Sequence, residues 1–225
     1  MPLRKLFGKK EEIIDNTEPA FVDLEGQETS VGFLNMEKGS FLNLEKVAPN
    51  LVKVRAAAGW DPALTGSGEE YDLDLCAFLL DQKGKLINVR GINSSIYWGA
   101  KKSTGLYLDG DDLTGGNSDG DDENIHVDLN KVPNQVAKVL FALVIHNGSQ
   151  RNQYFEKVQN AYIRLVNEGN PNNEIELARF CLSENGGKST AVRFAELSRT
   201  REGWTFKAIG DYSRDTISSI SKSLK

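Results

Sequence analysis

The sequence predicts a mainly β fold: an antiparallel β-sandwich of two sheets with a few short helices. Three observations carry this. About ten short runs are apolar or alternating, Gly- and Asn-rich turn signals separate them, and long stretches of helical period are scarce. The 21 glycines against 6 prolines suit a chain that turns often and tightly.

The elements follow in order. Residues 51–58 read as a strand that Gly59-Trp60-Asp61-Pro62 would end. Residues 73–80 are apolar on both parities, as in a strand covered on both faces. Asp81-Gln82-Lys83-Gly84 then supplies a turn, with 85–90 returning alongside. Ile125, Val127 and Leu129 alternate with His126, Asp128 and Asn130, the period of a half-exposed strand. Residues 139–145 form a second doubly buried strand, and 162–166, 178–183, 191–197 and 204–209 follow at short spacing. Helical pieces are minor, at 134–139, 153–159 and 215–224. The last places Ile217, Ile220 and Leu224 on one side, although its serines lower helix propensity.

Composition excludes several classes. The 225 residues suffice for a full hydrophobic core. Charge is 27 basic against 32 acidic, a net of −5, so there is no general electrostatic case for nucleic acid. The longest uninterrupted apolar run, 139–145, is far below the ~20 residues of a membrane span. No apolar leader with a small-residue cleavage site is visible, so a cytoplasmic location is expected. Cys76 and Cys181 lie in strand-like runs and are expected to be reduced core residues. Two histidines and no CxxC or HExxH speak against a zinc site. Three parts are expected: an N-terminal extension at 1–34, a sandwich domain at 35–210 and a serine-rich tail at 211–225. The extension reads either as a weakly ordered tail or as a short basic helix for a partner or an anionic membrane surface.

The strongest chemical signal is acidic. Between Asp109 and Glu123 lie seven acids (Asp109, Asp111, Asp112, Asp119, Asp121, Asp122 and Glu123) and no Lys or Arg. Two carboxylates ~4 Å apart repel by up to ~4 kcal/mol at an effective dielectric of ~20. Such a segment keeps its acids apart in water, protonates some, or holds a cation. Hard oxygen donors without thiolate or imidazole fit Ca²⁺ best, ahead of Mg²⁺ or Mn²⁺. A second pair, Asp72 and Asp74, opens an apolar strand; at i and i+2 both share one face. Asp61 either adds a carboxylate or stabilises a turn. An EF-hand fails: a loop from Asn117 puts Asp122 where Gly belongs and Asp128 where Glu belongs. Gly116-Asn-Ser-Asp-Gly120 matches GxSxG but lacks the strand–turn–helix setting of a nucleophile elbow. Asn185-Gly-Gly-Lys-Ser-Thr190 matches only the end of a P-loop, because Leu182 stands at its first glycine.

Gly59-Trp-Asp61, Asp72-Leu-Asp74, the acidic segment and a closing Gly203-Trp-x-Phe-x-Ala-Ile-Gly210, in this order, resemble the TerD family of tellurium-resistance and stress-response proteins. Lys38-Gly39, Asp111-Asp-Leu-Thr-Gly115, Gly120-Asp-Asp-Glu123 and Ala161-Tyr-Ile-Arg164 continue the likeness over about 35–210. The resemblance implies a two-sheet sandwich holding two Ca²⁺ ions, without an active site, cytoplasmic or peripheral to the inner membrane, and acting with other Ter-type proteins. It implies side-chain ligands from Asp72, Asp74, Asp111, Asp112, Asp119, Asp121, Asp122 and Glu123, with carbonyls from Thr114, Gly115 and Gly116; Asp61 is a further candidate. Leu108 departs from the family's usual His, and Asp112 from its usual Asn. The competing readings are a Ca²⁺-dependent lipid or carbohydrate binder and a metal-dependent hydrolase using the acidic cluster.

Overall fold

Alternation and apolar runs resolve into two sheets packed face to face. The computed structural model describes residues 33–61, 71–110, 120–169, 174–182 and 186–225. The larger sheet holds β1 (Leu34–Asn35), β3 (Lys53–Asp61), β6 (Lys102–Ser103), β7 (Leu106–Leu108), β8 (Glu123–Asp128), β10 (Gln159–Asn167) and β11 (Ile175–Cys181). Their spatial order is β1-β11-β10-β3-β8-β7-β6. The smaller sheet runs β2 (Phe41–Asn43), β13 (Trp204–Ser213), β12 (Ala191–Arg199), β9 (Lys138–Ile145), β4 (Leu73–Leu80) and β5 (Ser95–Ile96). All pairs are antiparallel except β1 with β11. The mainly β sandwich expected from the sequence is the fold found.

Period two decides which side chains meet. In β4, Leu73, Leu75, Ala77 and Leu79 point between the sheets, while Cys76, Phe78 and Leu80 point outward. Every residue of β4 is buried, because the outward face is covered as well. Its cover is α3 (Ile217–Ser223), whose Ile220 packs on Cys76, Phe78, Leu140, Ala142 and Val144. Thr216 and Ser219 form a reciprocal capping box at its start, offsetting the low propensity of the serines. At its far end the Leu224 carbonyl accepts from Leu86 N at 2.7 Å. Two further short helices, α1 (Leu44–Val47) and α2 (Gly148–Arg151), and a 3₁₀ turn at Phe155–Lys157 complete the described elements.

Four expectations need correction. The strand placed at 51–58 runs on through Gly59 and Trp60 to Asp61, since β10 continues beside it and supplies its ladder. Gly59 is there for space: a Cβ would lie 2.5 Å from the Tyr162 ring of β10. Residues 85–90 return without forming a strand; only Leu86 and Ile87 bond across to β4. Residues 134–139 are a turn leading into β9 rather than a helix. Cys181 is exposed at the end of β11, whereas Cys76 is buried. Of the expected extension at 1–34, residues 1–32 lie outside the described residues, while Leu34 opens β1 and pairs with Ala178 of β11.

If α3 seals the outer face of the smaller sheet, Ile220→Ala lowers unfolding free energy by ~2–4 kcal/mol in urea melts, the usual range for an emptied core site. Lys222→Ala, on the same helix but outside that contact, changes it by less than ~0.5 kcal/mol.

Candidate metal centre

Three elements bring carboxylates to one end of the sandwich. β3 ends at Trp60-Asp61, β8 begins at Glu123 opposite Ala58, and β4 begins one residue after Asp72. β8 belongs to the larger sheet and β4 to the smaller, so the head of β8 and the start of β4 lie at the same end of the sandwich, with Asp74 on the outward side of β4 that Cys76 and Phe78 share.

The contacts there are specific. Glu123 is buried at the head of β8, and its Oε2 accepts from the backbone N–H of Leu75, inside β4. That N–H lies on the side of β4 that the short β5 leaves open, since β5 pairs only with Ala77 and Phe78. Asp122, also buried, accepts through Oδ2 from Trp60 N at 2.8 Å and donates its own N–H to the Ala58 carbonyl at 2.9 Å. Asp74 is buried too, with Oδ2 3.0 Å from His146 Nδ1 at the end of β9. The Asp72 carbonyl accepts from His146 N at 2.8 Å, locking the two strand ends together. Asp74 and Glu123 act on the same neighbour: burial chiefly, then these two carboxylates, pushes the Cys76 thiol well above its ordinary pKa.

Asp121 has a different setting. Its carboxylate takes a two-point contact from Arg164, Nε to Oδ1 at 2.7 Å and Nη2 to Oδ2 at 2.6 Å. Arg55 Nη1 adds a contact at 3.3 Å, and the Tyr162 hydroxyl lies 3.1 Å from Oδ1. Arg164 reaches on to Glu176 at 2.9 Å, and Arg179 closes on Glu176 at 2.7 Å. Paired arginines hold Glu176 below the ordinary carboxylate range despite its partial burial, which acts the other way. Burial, then the Asp121 charge, pushes the Tyr162 phenol up and keeps it protonated at physiological pH. Asp61, at the exposed end of β3, accepts from the Asn160 side-chain amide.

Of the residues singled out from sequence, the structure therefore brings Asp72, Asp74, Asp122 and Glu123 to one end of the fold and directs Asp121 to the outer face of the larger sheet. Asp111, Asp112, Thr114, Gly115, Gly116 and Asp119 lie outside the described residues. Among the described residues, no three His, Cys, Asp or Glu side chains are disposed as a ready cage. The donors present are carboxylate oxygens, with imidazole one step removed on Asp74. That chemistry fits a hard divalent ion, for which 111–119 holds further candidate donors. Composition and spacing give neither His146 nor Arg164 a role, although Arg164 belongs to the Ala161-Tyr-Ile-Arg164 likeness; only the strand register gives them their partners.

The profile of the TerD domain matches residues 33–223. The chain belongs to the TerD family. The match includes α3 as well as both sheets. A tellurium resistance protein TerD from Alcaligenes sp is 39% identical over 179 residues, spanning 79% of this chain and 89% of that protein. General stress protein 16U of Bacillus subtilis (strain 168) is 38% identical, also over 79% of this chain and 89% of its own length. A crystal structure of a TerD homologue from Streptomyces coelicolor A3(2) superposes with a TM-score of 0.57, at 18% identity, over 76% of this chain and 96% of that one; at this distance it attests the fold alone. TerD-family relatives thus bear tellurium-resistance and general-stress names.

The pH dependence of stability follows from Glu176. Its depressed pKa means that the folded state binds protons less readily than the unfolded one. The contribution is therefore full above about pH 5 and is lost as pH falls through the acid range. Glu176→Gln flattens the acid limb of a stability-versus-pH curve measured by chemical denaturation. Asp121→Asn, which removes the charge between two arginines, lowers stability at pH 7 by about 2–3 kcal/mol.

Proposed function

We propose that this TerD-family chain is a calcium-binding stress-response module without catalytic chemistry of its own, and that Ca²⁺ joins the two sheets at the acidic end. The observation that carries the reading is the contact of Glu123 with Leu75 N, which ties the end of the acidic segment to the strand that presents Asp72 and Asp74. Asp72, Asp74, Asp122 and Glu123 would serve as ligands, together with acids and carbonyls from 111–119. Asp121 is left out of this set, because both its oxygens already face guanidinium groups. His146 would orient the Asp74 carboxylate, as partners behind metal ligands commonly do.

The physical case rests on repulsion. Carboxylates gathered in a poorly solvated place destabilise one another, and a divalent ion turns that cost into a gain. Binding then couples to stability: at free Ca²⁺ a hundredfold above Kd the folded state gains ~2.7 kcal/mol per site. The relatives' tellurium-resistance and general-stress names support a place in a stress response. We place the chain beside other Ter-type proteins, in the cytoplasm or at the inner membrane surface.

Calorimetric titration of chelator-stripped protein tests this. The expected result is saturable Ca²⁺ binding with a stoichiometry of two, weaker Mg²⁺ binding and a raised melting temperature. Asp72→Asn with Asp74→Asn removes most of the heat, while Asp121→Asn destabilises the fold yet keeps the stoichiometry. Absence of saturable heat with millimolar Ca²⁺, or full binding by the double variant, overturns the reading.

A further inference from the structure

The two flanks of α3 on the outer face of the smaller sheet are used differently. Asp215, just before the helix, and Ser223 meet Arg193 of β12 at 3.6 and 3.5 Å. Ser218, Ser221 and Lys222, on the other flank, line a cleft of about 480 Å³. That volume is within the range of small-molecule sites, ~300–1,000 Å³. Ser95 of β5, with Tyr97 and Trp98 just after it, makes the facing wall. Asp74 of β4, Val144 of β9 and His146 lie between the two walls.

Trp98 is held rigidly at the rim. It sits in a two-residue turn closed from both sides: Ala100 N–H donates to the Tyr97 carbonyl at 2.8 Å, and Tyr97 N–H to the Ala100 carbonyl at 3.3 Å. Gly99 completes the turn, because a Cβ there would lie 2.8 Å from the Tyr97 ring. The indole meets Tyr97 and His146 at centroid distances of 5.9 and 5.8 Å, yet 45% of Trp98 stays exposed. It belongs to neither apolar cluster of the fold, so core packing does not account for it. A large aromatic fixed in place and half open to solvent is suited to binding.

The polar groups around it are unevenly used. His146 is fixed through Nδ1, which donates to the buried Asp74 carboxylate at 3.0 Å; its Nε2 has no partner among the described residues. The side chains of Ser95, Asn147, Ser218 and Ser221 also line the cleft and make no hydrogen bond among the described residues. A rotatable hydroxyl both donates and accepts, as a sugar hydroxyl does. Lys222 forms no ion pair among the described residues and lies one helical turn, about 6 Å, beyond Ser218 on the same flank. Asp74 is the acid side chain of the lining, and His146 already engages it, so the lysine charge has no counterpart there.

We propose that this cleft binds an acidic monosaccharide, its ring against Trp98, its hydroxyls on the serines, Asn147 and His146, and its phosphate or carboxylate on Lys222. The C–H face of a pyranose is apolar and suits an indole, while its hydroxyl rim suits side chains that donate and accept. The acid group answers the free ammonium. A nucleotide suits the cleft less well, since a base presents fixed planar donors and acceptors to hydroxyls that have no fixed direction.

The test is calorimetric titration of the full chain in chelator, which separates this site from any Ca²⁺ dependence. The probes are the 6-phosphates of glucose, galactose and mannose, the uronates of the same sugars, the neutral parents, inorganic phosphate and AMP. At least one acidic sugar is expected to bind tenfold or more tightly than its neutral parent and than inorganic phosphate. Whether that sugar is a phosphate or a uronate tells the two sources of the acid group apart. Trp98→Ala weakens it at least tenfold, whereas Trp98→Tyr, which keeps an aromatic surface, loses only severalfold. Lys222→Gln leaves the melting temperature unchanged and abolishes the preference for the acidic sugar over its parent. No acidic sugar bound at millimolar concentration, unchanged binding by Trp98→Ala, an undiminished preference in Lys222→Gln, or tighter binding of AMP than of every acidic sugar would each overturn the proposal.

Discussion

Three successive carboxylates at the head of β8 are fastened to three different strands. Asp121 meets Arg164 of β10, Asp122 meets the backbone of Trp60 in β3, and Glu123 meets that of Leu75 in β4. The last contact crosses from one sheet to the other. A buried carboxylate bonded to a backbone amide is far stronger than the same bond in water, and correspondingly costly to break. The end of the sandwich is thus held by polar bonds with fixed direction, whereas its middle is held by apolar packing that is tolerant of small shifts. Where the acidic segment enters the fold, its position is set to within a hydrogen bond.

The two faces of the larger sheet divide the chemistry. Inward lie Val54, Ala56, Ile125, Val127, Ile163 and Leu165, the apolar half of each alternating strand. Outward lies a row of partnered charges running from Arg179 through Glu176, Arg164 and Asp121 to Arg55, Glu168 and His126. Isolated surface ion pairs contribute little, but members of a shared, half-buried row hold one another's geometry. Tyr162 stands over the row with Arg179 stacked on its ring, 4.4 Å from the centroid, and its hydroxyl near Gly120. The acidic end and the outer face therefore meet at one residue boundary, between Asp121 and Asp122.

Much of this was legible in the amino-acid sequence because period two is a local property. The burial of β4 and β9 on both faces and the half-exposure of β8 follow directly from which positions are apolar. So does α3, whose Ile217, Ile220 and Leu224 lie at helical spacing. What escaped was register and partnership. Nothing local distinguishes Asp121 from Asp122, yet the one faces arginines and the other a backbone amide. Gly59-Trp60 looked like a strand end because glycine disfavours strands in isolation; the ring of Tyr162 from a strand a hundred residues away reverses that preference. His146 finds Asp74 only because β4 and β9 pair with Leu73 opposite Ile145.

The covering of the smaller sheet has a consequence for how the chain is made. Phe78, Leu140, Ala142 and Val144 belong to strands synthesised well before Ile217–Ser223, the helix that shields them. During translation this apolar face is complete before its cover has left the ribosome, and it stays open to water and to other nascent chains for that interval. Folding of this sheet is therefore finished by the segment that emerges after all its strands, and the interval before that is when the polypeptide is most in need of a chaperone.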